Sequence, residues 1–176
     1  MGSGVVRPKA GLSLFRTVLA IVFVLLVASC GGSSRASTPM SGVSATPDGR
    51  FGMVITTKGG LGVPLRVEVA RTAEEKAKGL SGRKSLDEDA GMLFDIPVRG
   101  GGFSMKDTSI PLSVAFIEKC GRIVDIADLQ PNDEALRNSP VTYRFGLEVN
   151  QGWFARAGVS VGDAVSLPPE LRQAGC

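Results

Sequence analysis

The chain has no histidine, and only one tryptophan, one tyrosine and three cysteines in 176 residues. Each shortage excludes a chemistry. Without histidine the usual Ser-His-Asp and Cys-His nucleophiles cannot be assembled, and neither Ser81 nor Ser104 has an evident base. Without histidine or a Cys-x-x-Cys pair the common zinc ligand sets are missing, so neither a metal nor a cofactor is expected. A soft-sulfur site from Met92, Met105 and Cys120 would suit Cu(I), but both methionines sit in apolar stretches, where methionine fills core gaps. The glycines Gly100, Gly101 and Gly102 lack the strand-to-helix context and the following Lys-Ser/Thr of a phosphate loop. An excess of one charge is missing too. Of 20 basic residues against 17 acidic ones, Arg7, Lys9 and Arg16 fall in the first 29 residues, which hold no acid, so the rest of the chain is formally neutral. A neutral domain has no electrostatic case for binding nucleic acid.

What is present begins with the leader. Arg7, Lys9 and Arg16 precede an apolar run from Val18 to Ala28, shorter than the ~20 residues a helix needs to span a bilayer. The run ends in Val27-Ala28-Ser29-Cys30, followed by Gly31, Gly32, Ser33 and Ser34. A basic start, an apolar middle and small residues at the end describe a secretory signal. The tetrad resembles the lipobox of bacterial lipoproteins, whose cysteine thiol is acylated and whose chain is cut just before it. The resemblance implies a lipoprotein signal peptide over residues 1–29, lipidation with palmitate-like chains at Cys30, and a mature protein outside the cytoplasm. Its membrane partner would then be engaged through the N-terminal lipid, at ~0.8 kcal/mol per buried methylene, so that two or three chains hold where one slips. A transmembrane anchor with a chance cysteine is the alternative.

Residues 30–50 are rich in Gly, Ser, Thr and Pro and offer little to bury, so they are read as a flexible tether with a reach of roughly 25 Å. Residues 51–171 suit one domain with one core, and 172–176 form a C-terminal tail. Strands are expected at 53–57, 65–69, 91–94, 112–117, 122–129, 143–149 and 164–167, from β-branched runs or period-two alternation. The Lys119-Cys120-Gly121 segment joins two of them as a hairpin loop. Thr72 and Glu75 have the spacing of a capping box, which starts a short helix that turns Ala77 and Leu80 to the core and stops at Gly79. A second short helix is expected over 152–157 with Trp153 as a core anchor. Tyr143 and Phe145 are placed on one strand face. The expectation is a mainly β, compact antiparallel sandwich or barrel-like domain with two short helices. Cys120 and Cys176 are candidates for a disulfide, with two free thiols as the alternative.

Five segments recur in a distinctive order: Gly79-Leu80-Ser81-Gly82-Arg83, Gly91-Met92-Leu93-Phe94, Phe103 through Leu112 (Phe-Ser-Met-Lys-Asp-Thr-Ser-Ile-Pro-Leu), Leu147 through Gly152 (Leu-Glu-Val-Asn-Gln-Gly) and Gly158 through Asp163 (Gly-Val-Ser-Val-Gly-Asp). In this order and spacing the chain resembles the DUF192 family of small bacterial and archaeal domains, over roughly residues 54–168. The resemblance implies a compact, mainly antiparallel β-fold with a short helix before Gly-Leu-x-x-Arg, and no established reaction, ligand or cofactor. The chain departs from the family where Ser104 replaces a frequent tryptophan and Ser113 a frequent aspartate.

The charged and apolar residues of these segments suggest a non-catalytic binding module for an envelope component or a small polar ligand. Lys106 and Arg83 would meet an anionic group, Asp107 and Glu148 would accept hydrogen bonds, and Met105 with Met92 and Phe103 would form an apolar wall. Against this, Asp107 and Thr108 suit a turn before Ile110-Pro111, and Lys106 or Arg83 suits a pair with Glu148. The alternative function is a hydrolase acting on cell-envelope glycan through Asp107 and Glu148, which requires the two carboxylates about 5–10 Å apart across a cleft.

Overall fold

The computed structural model describes residues 49–96 and 102–176; the leader, Cys30 and the tether up to residue 48 lie outside the described residues. Its elements follow in the order β1 (Phe51–Thr56), β2 (Gly62–Ala70), α1 (Ala73–Lys78), β3 (Ala90–Asp95), β4 (Leu112–Ile117), β5 (Ile123–Leu129), β6 (Phe145–Asn150), α2 (Trp153–Arg156) and β7 (Ala164–Val165), with a 3-10 turn at Pro169–Leu171. The strands form one sheet ordered β5-β4-β6-β3-β2-β1-β7, curled into a half-barrel, so the domain is mainly β with two short helices, as expected. One pairing departs from the antiparallel rule: β2 runs parallel to β3, Arg66 opposite Ala90 through Ala70 opposite Phe94. Parallel neighbours cannot be joined by a tight turn. The connection between Ala70 and Ala90, which carries α1, supplies the crossover.

The curl is fixed at one end by the short β7. It pairs with β1 (Ile55 opposite Val165), while the amide of Val165 donates to the Gly121 carbonyl at 2.7 Å and that of Ile123 to the Asp163 carbonyl at 2.9 Å. Gly121 has φ +90°, and a Cβ there would lie 2.5 Å from the Val165 carbonyl oxygen, so only glycine lets the two backbones approach. Asp163 holds the same corner, accepting from the amides of Lys58 (2.8 Å) and Ser160 (2.7 Å). Burial works to raise the Asp163 carboxyl, but the two amides and the Lys58 charge outweigh it and hold the group below its ordinary range.

The centre of the sheet is buried on both faces, which is why every residue of β4 is buried, and all but the last of β3 and β6. Alternation divides the core in two. Leu93, Ala115, Ile117, Leu147 and Val149 face one side, under Trp153, Phe154, Leu167 and Leu171. Met92, Phe94, Leu112, Val114 and Phe116 face the other, under Leu80, Phe103, Met105 and Ile110 from the chain between α1 and β4. Each buried Val, Leu, Ile, Phe or Met among them contributes ~1.5–3 kcal/mol. Two expectations fail. Tyr143 precedes β6, and it packs on the second core while Phe145 belongs to the first, so they do not share a face. Helix α1 buries none of its residues and Ala77 is exposed; Leu80, past the helix end, makes the core contact instead.

At the C-terminus Cys120 and Cys176 are joined by a disulfide across a Cα separation of 5.2 Å. The tail is thereby tied to the β4–β5 turn, and the Arg172 side chain donates to the Leu167 carbonyl at 3.0 Å.

Candidate functional site

Helix α1 is set by its N-terminus. The Thr72 hydroxyl accepts from the Glu75 amide at 3.1 Å, and the Glu75 carboxylate accepts from the amides of Thr72 (2.9 Å) and Arg71 (2.8 Å). Those two backbone amides hold the Glu75 carboxyl below its ordinary range. At the other end Lys76 Nζ donates to the Asp95 carbonyl at 3.0 Å, which ties α1 to the end of β3. The helix stops at Gly79, whose φ is +46° and whose missing Cβ would lie 3.3 Å from the Phe94 ring. The chain therefore passes closely over Phe94 before Leu80 enters the core.

A second wall comes from the segment before β4. Phe103 is fixed by a two-bond bridge to Arg137: its amide donates to the Arg137 carbonyl at 2.9 Å and its own carbonyl accepts at 2.7 Å. Its ring lies on Gly146 of β6, where a Cβ would be 2.0 Å from Cζ, and it meets Phe94 edge-on at 5.3 Å and Phe116 at 5.7 Å. The walls are sewn together at one end. Ser81 and Thr108 hydroxyls both donate to the Lys106 carbonyl, at 3.1 and 3.2 Å, and the Gly82 amide donates to the Asp107 carbonyl at 2.9 Å.

Between the walls lies a cleft of about 630 Å³. Phe94, Ile96 and Phe103 make its apolar lining, Ser81, Ser104 and Thr108 supply hydroxyls, and Lys76, Lys78 and Lys106 bring positive charge. Glu148 reaches it from β6, where it lies between Met92 of β3 and Val114 of β4 on the second core face. Glu148 is 5% exposed, and its carboxyl makes no hydrogen bond with any described residue. Burial alone pushes its carboxyl up to about 8, so the group is mostly protonated at neutral pH and presents both a donor and an acceptor.

The structure brings together Phe103, Lys106 and Glu148 among the residues singled out from the sequence. Met105, 2% exposed, packs in the second core beneath the cleft instead of lining it. Asp107 is exposed on a turn with φ +54° and does not line the cleft. Arg83 forms a two-pronged pair with Glu68, at 2.9 and 2.6 Å, which raises its already high pKa and engages it away from Glu148. Asp107 and Glu148 are therefore not joined across the cleft, and Glu148 is the one carboxyl lining it among the described residues. Cys120 is bonded to Cys176 and Met92 lies in the core, which breaks up the soft-sulfur set; no three His, Cys, Asp or Glu side chains cluster as metal ligands among the described residues. Ser113 donates to Asp128 at 2.6 Å and accepts from the Gly152 amide at 3.0 Å, linking β5 to the start of α2.

Lys76, Lys78, Ser81 and Phe94 were not expected as site residues. The lysines look in sequence like the solvated last turn of a helix, where basic residues complement the dipole. Glu148 was expected, and the signal for it is an acid placed between the apolar Leu147 and Val149.

No curated protein matches the chain. Four chains of solved structures do, among them the following two. A Sinorhizobium meliloti 1021 protein, provisionally named a transcription regulator, is 31% identical with a TM-score of 0.64, covering 71% of this chain and 95% of its own. A protein of unknown function from Novosphingobium aromaticivorans DSM 12444 is also 31% identical at TM-score 0.64, covering 77% of this chain and 100% of its own. The family profile spans residues 53–167, from within β1 to just past β7, and the chain belongs to the DUF192 family, described as "Uncharacterized ACR".

Proposed function

We propose that the chain is an exported, lipid-anchored binding domain that holds a small polar ligand or envelope component in the cleft without transforming it. The observation that carries this reading is Glu148, a buried acid whose carboxyl has no partner among the described residues and opens onto an apolar concavity. An unpaired buried acid weakens a fold, and a titratable group shifted by burial at the floor of a cleft is a candidate for a functional role. Export and anchoring rest on the leader and on Cys30; the Cys120–Cys176 disulfide supports an oxidising compartment. Among the described residues no second carboxylate lines the cleft, so the paired-carboxylate geometry of a glycan hydrolase is not assembled there. The regulator name of the Sinorhizobium protein is not carried over, because residues 30–176 are formally neutral and give DNA no electrostatic footing.

Two measurements test the reading. Cells given labelled palmitate should incorporate it into the wild-type chain, which should fractionate with membranes; a Cys30→Ser chain should stay unlabelled and unprocessed. Normal maturation of that variant refutes the anchor. A thermal-shift screen of organic acids, glycans and nucleotides should find a stabilising compound whose effect vanishes in Ser104→Trp, where an indole fills the cleft. A screen without a hit refutes the binding role.

A further inference from the structure

The cleft is asymmetric in charge. Among the described residues three ammonium groups line it, against one carboxyl. Lys76 spends one donor on the Asp95 carbonyl, whereas Lys78 and Lys106 side chains make no ion pair or hydrogen bond with any described residue. Both are exposed, so they stand at the rim, while Glu148 lies at the buried end. Phe94 and Phe103 fill the space between with ring faces and edges held by T-shaped contact. From rim to base the order is positive charge, apolar wall, hydrogen-bonding acid.

We propose that the ligand is a small organic anion with an apolar body, its negative group held by Lys78 and Lys106 and a carbonyl oxygen at its inner end hydrogen-bonded by the Glu148 carboxyl. This rests on the cleft being a ligand site. The acid at the base is uncharged at neutral pH, so it does not repel such a ligand, and its O–H is the donor a buried carbonyl requires. A cation would meet three lysines on entry. A neutral compound would gain the base and the walls but leave the rim unused. Free organic acids meet the description, with the carboxylate outermost.

The test uses matched probes on the full chain in uncharged micelles, by isothermal titration: N-acetylphenylalanine as the anion, its carboxamide as the neutral form, and phenylalanine amide as the cation. The anion should bind about tenfold tighter than the neutral form, or about 1.4 kcal/mol, which two partly exposed charges can supply. The cation should bind most weakly. Added salt should narrow the difference. In Lys78→Met/Lys106→Met the anion should fall to the affinity of the neutral form, which itself stays unchanged; in Ser104→Trp all binding should cease. A neutral form that binds as tightly as the anion in the wild type, and is lost in Ser104→Trp, overturns the anion class and leaves the cleft as a binding site. Binding that survives Ser104→Trp, or no binding by any probe, overturns both.

Discussion

Replacing Glu148 by Gln should stabilise the domain, and increasingly so as pH rises. In the unfolded chain the carboxyl titrates at its ordinary 4.5; in the folded domain burial raises this to about 8. Between those values the folded state holds one proton more than the unfolded state, so stability falls as pH rises, at ~1.4 kcal/mol per unit. Across the interval the loss reaches about 5 kcal/mol, after which both states are ionised and it stays constant. Glu148 is almost fully buried, so solvent screens little of this. Glutamine has nearly the same shape and no charge. The variant should match the wild type near pH 5 and exceed it by several kcal/mol at pH 8, against a typical total of ~5–15 kcal/mol. Urea unfolding of the oxidised full chain at intervals from pH 5 to 8 reads this directly. The wild type should slope downward and the variant should be flat in comparison. The carboxyls with lowered values do not intrude: stability from Asp163 and Glu75 is present above their ordinary range and is lost only as pH falls below it. Tyr143, raised by burial from 10.0, acts only in stronger alkali. Parallel curves for the two proteins, or a Gln variant weaker at pH 8, would refute the reasoning.

Two further outcomes follow from the packing and the cross-link. Gly146→Ala puts a methyl into the Phe103 ring and should cost ~1–3 kcal/mol; in a double-mutant cycle much of that cost should vanish in the Phe103→Ala background, and additive costs would mean the ring does not lie there. Cys176→Ser opens a cross-link between positions 56 residues apart and should lower the urea-derived stability by about 4 kcal/mol, while hydrogen exchange at Leu171 rises; unchanged values in both would show that the bridge adds nothing to the fold.

The central strands were legible because strands covered on both faces leave a plain record: Met92 to Phe94 of β3 and Val114 to Ile117 of β4 are apolar runs. The capping box was legible for a local reason, since Thr72 and Glu75 satisfy each other's backbone within one turn. The parallel β2–β3 pair was not, because nothing within either strand says which way its neighbour runs. The pairing of Tyr143 with Phe145 failed because alternation applies only inside a strand, and β6 begins at Phe145. Of the candidate site, Lys106 and Glu148 share the cleft, but their grouping with Arg83 and Asp107 came from proximity in the motifs. Arg83 found its partner in Glu68, 15 residues earlier across the crossover, and Asp107 turned outward where φ became positive. Such choices are made by tertiary contacts, which spacing alone does not encode.

The one exception to antiparallel order is also what makes a cleft. Had β2 and β3 been joined as a hairpin, a few turn residues would suffice and the second core face would lack α1 and the Gly79–Ser81 wall. The crossover must instead carry the chain back along the sheet, and it does so with a helix too short to bury any residue of its own. Such a helix cannot cover the face by itself. Leu80 seals one part, Phe103 and Met105 seal another from the far segment, and the gap left between them opens over Phe94 and Glu148. A sheet face covered by two separate segments has a seam, and here the seam falls on a residue whose carboxyl finds no partner among the described residues. Filling it with leucine at position 148 would satisfy the packing rules better than glutamate does. The fold holds an acid there at a cost to its own stability, and a bound hydrogen-bonding group is the simplest physical return for that cost.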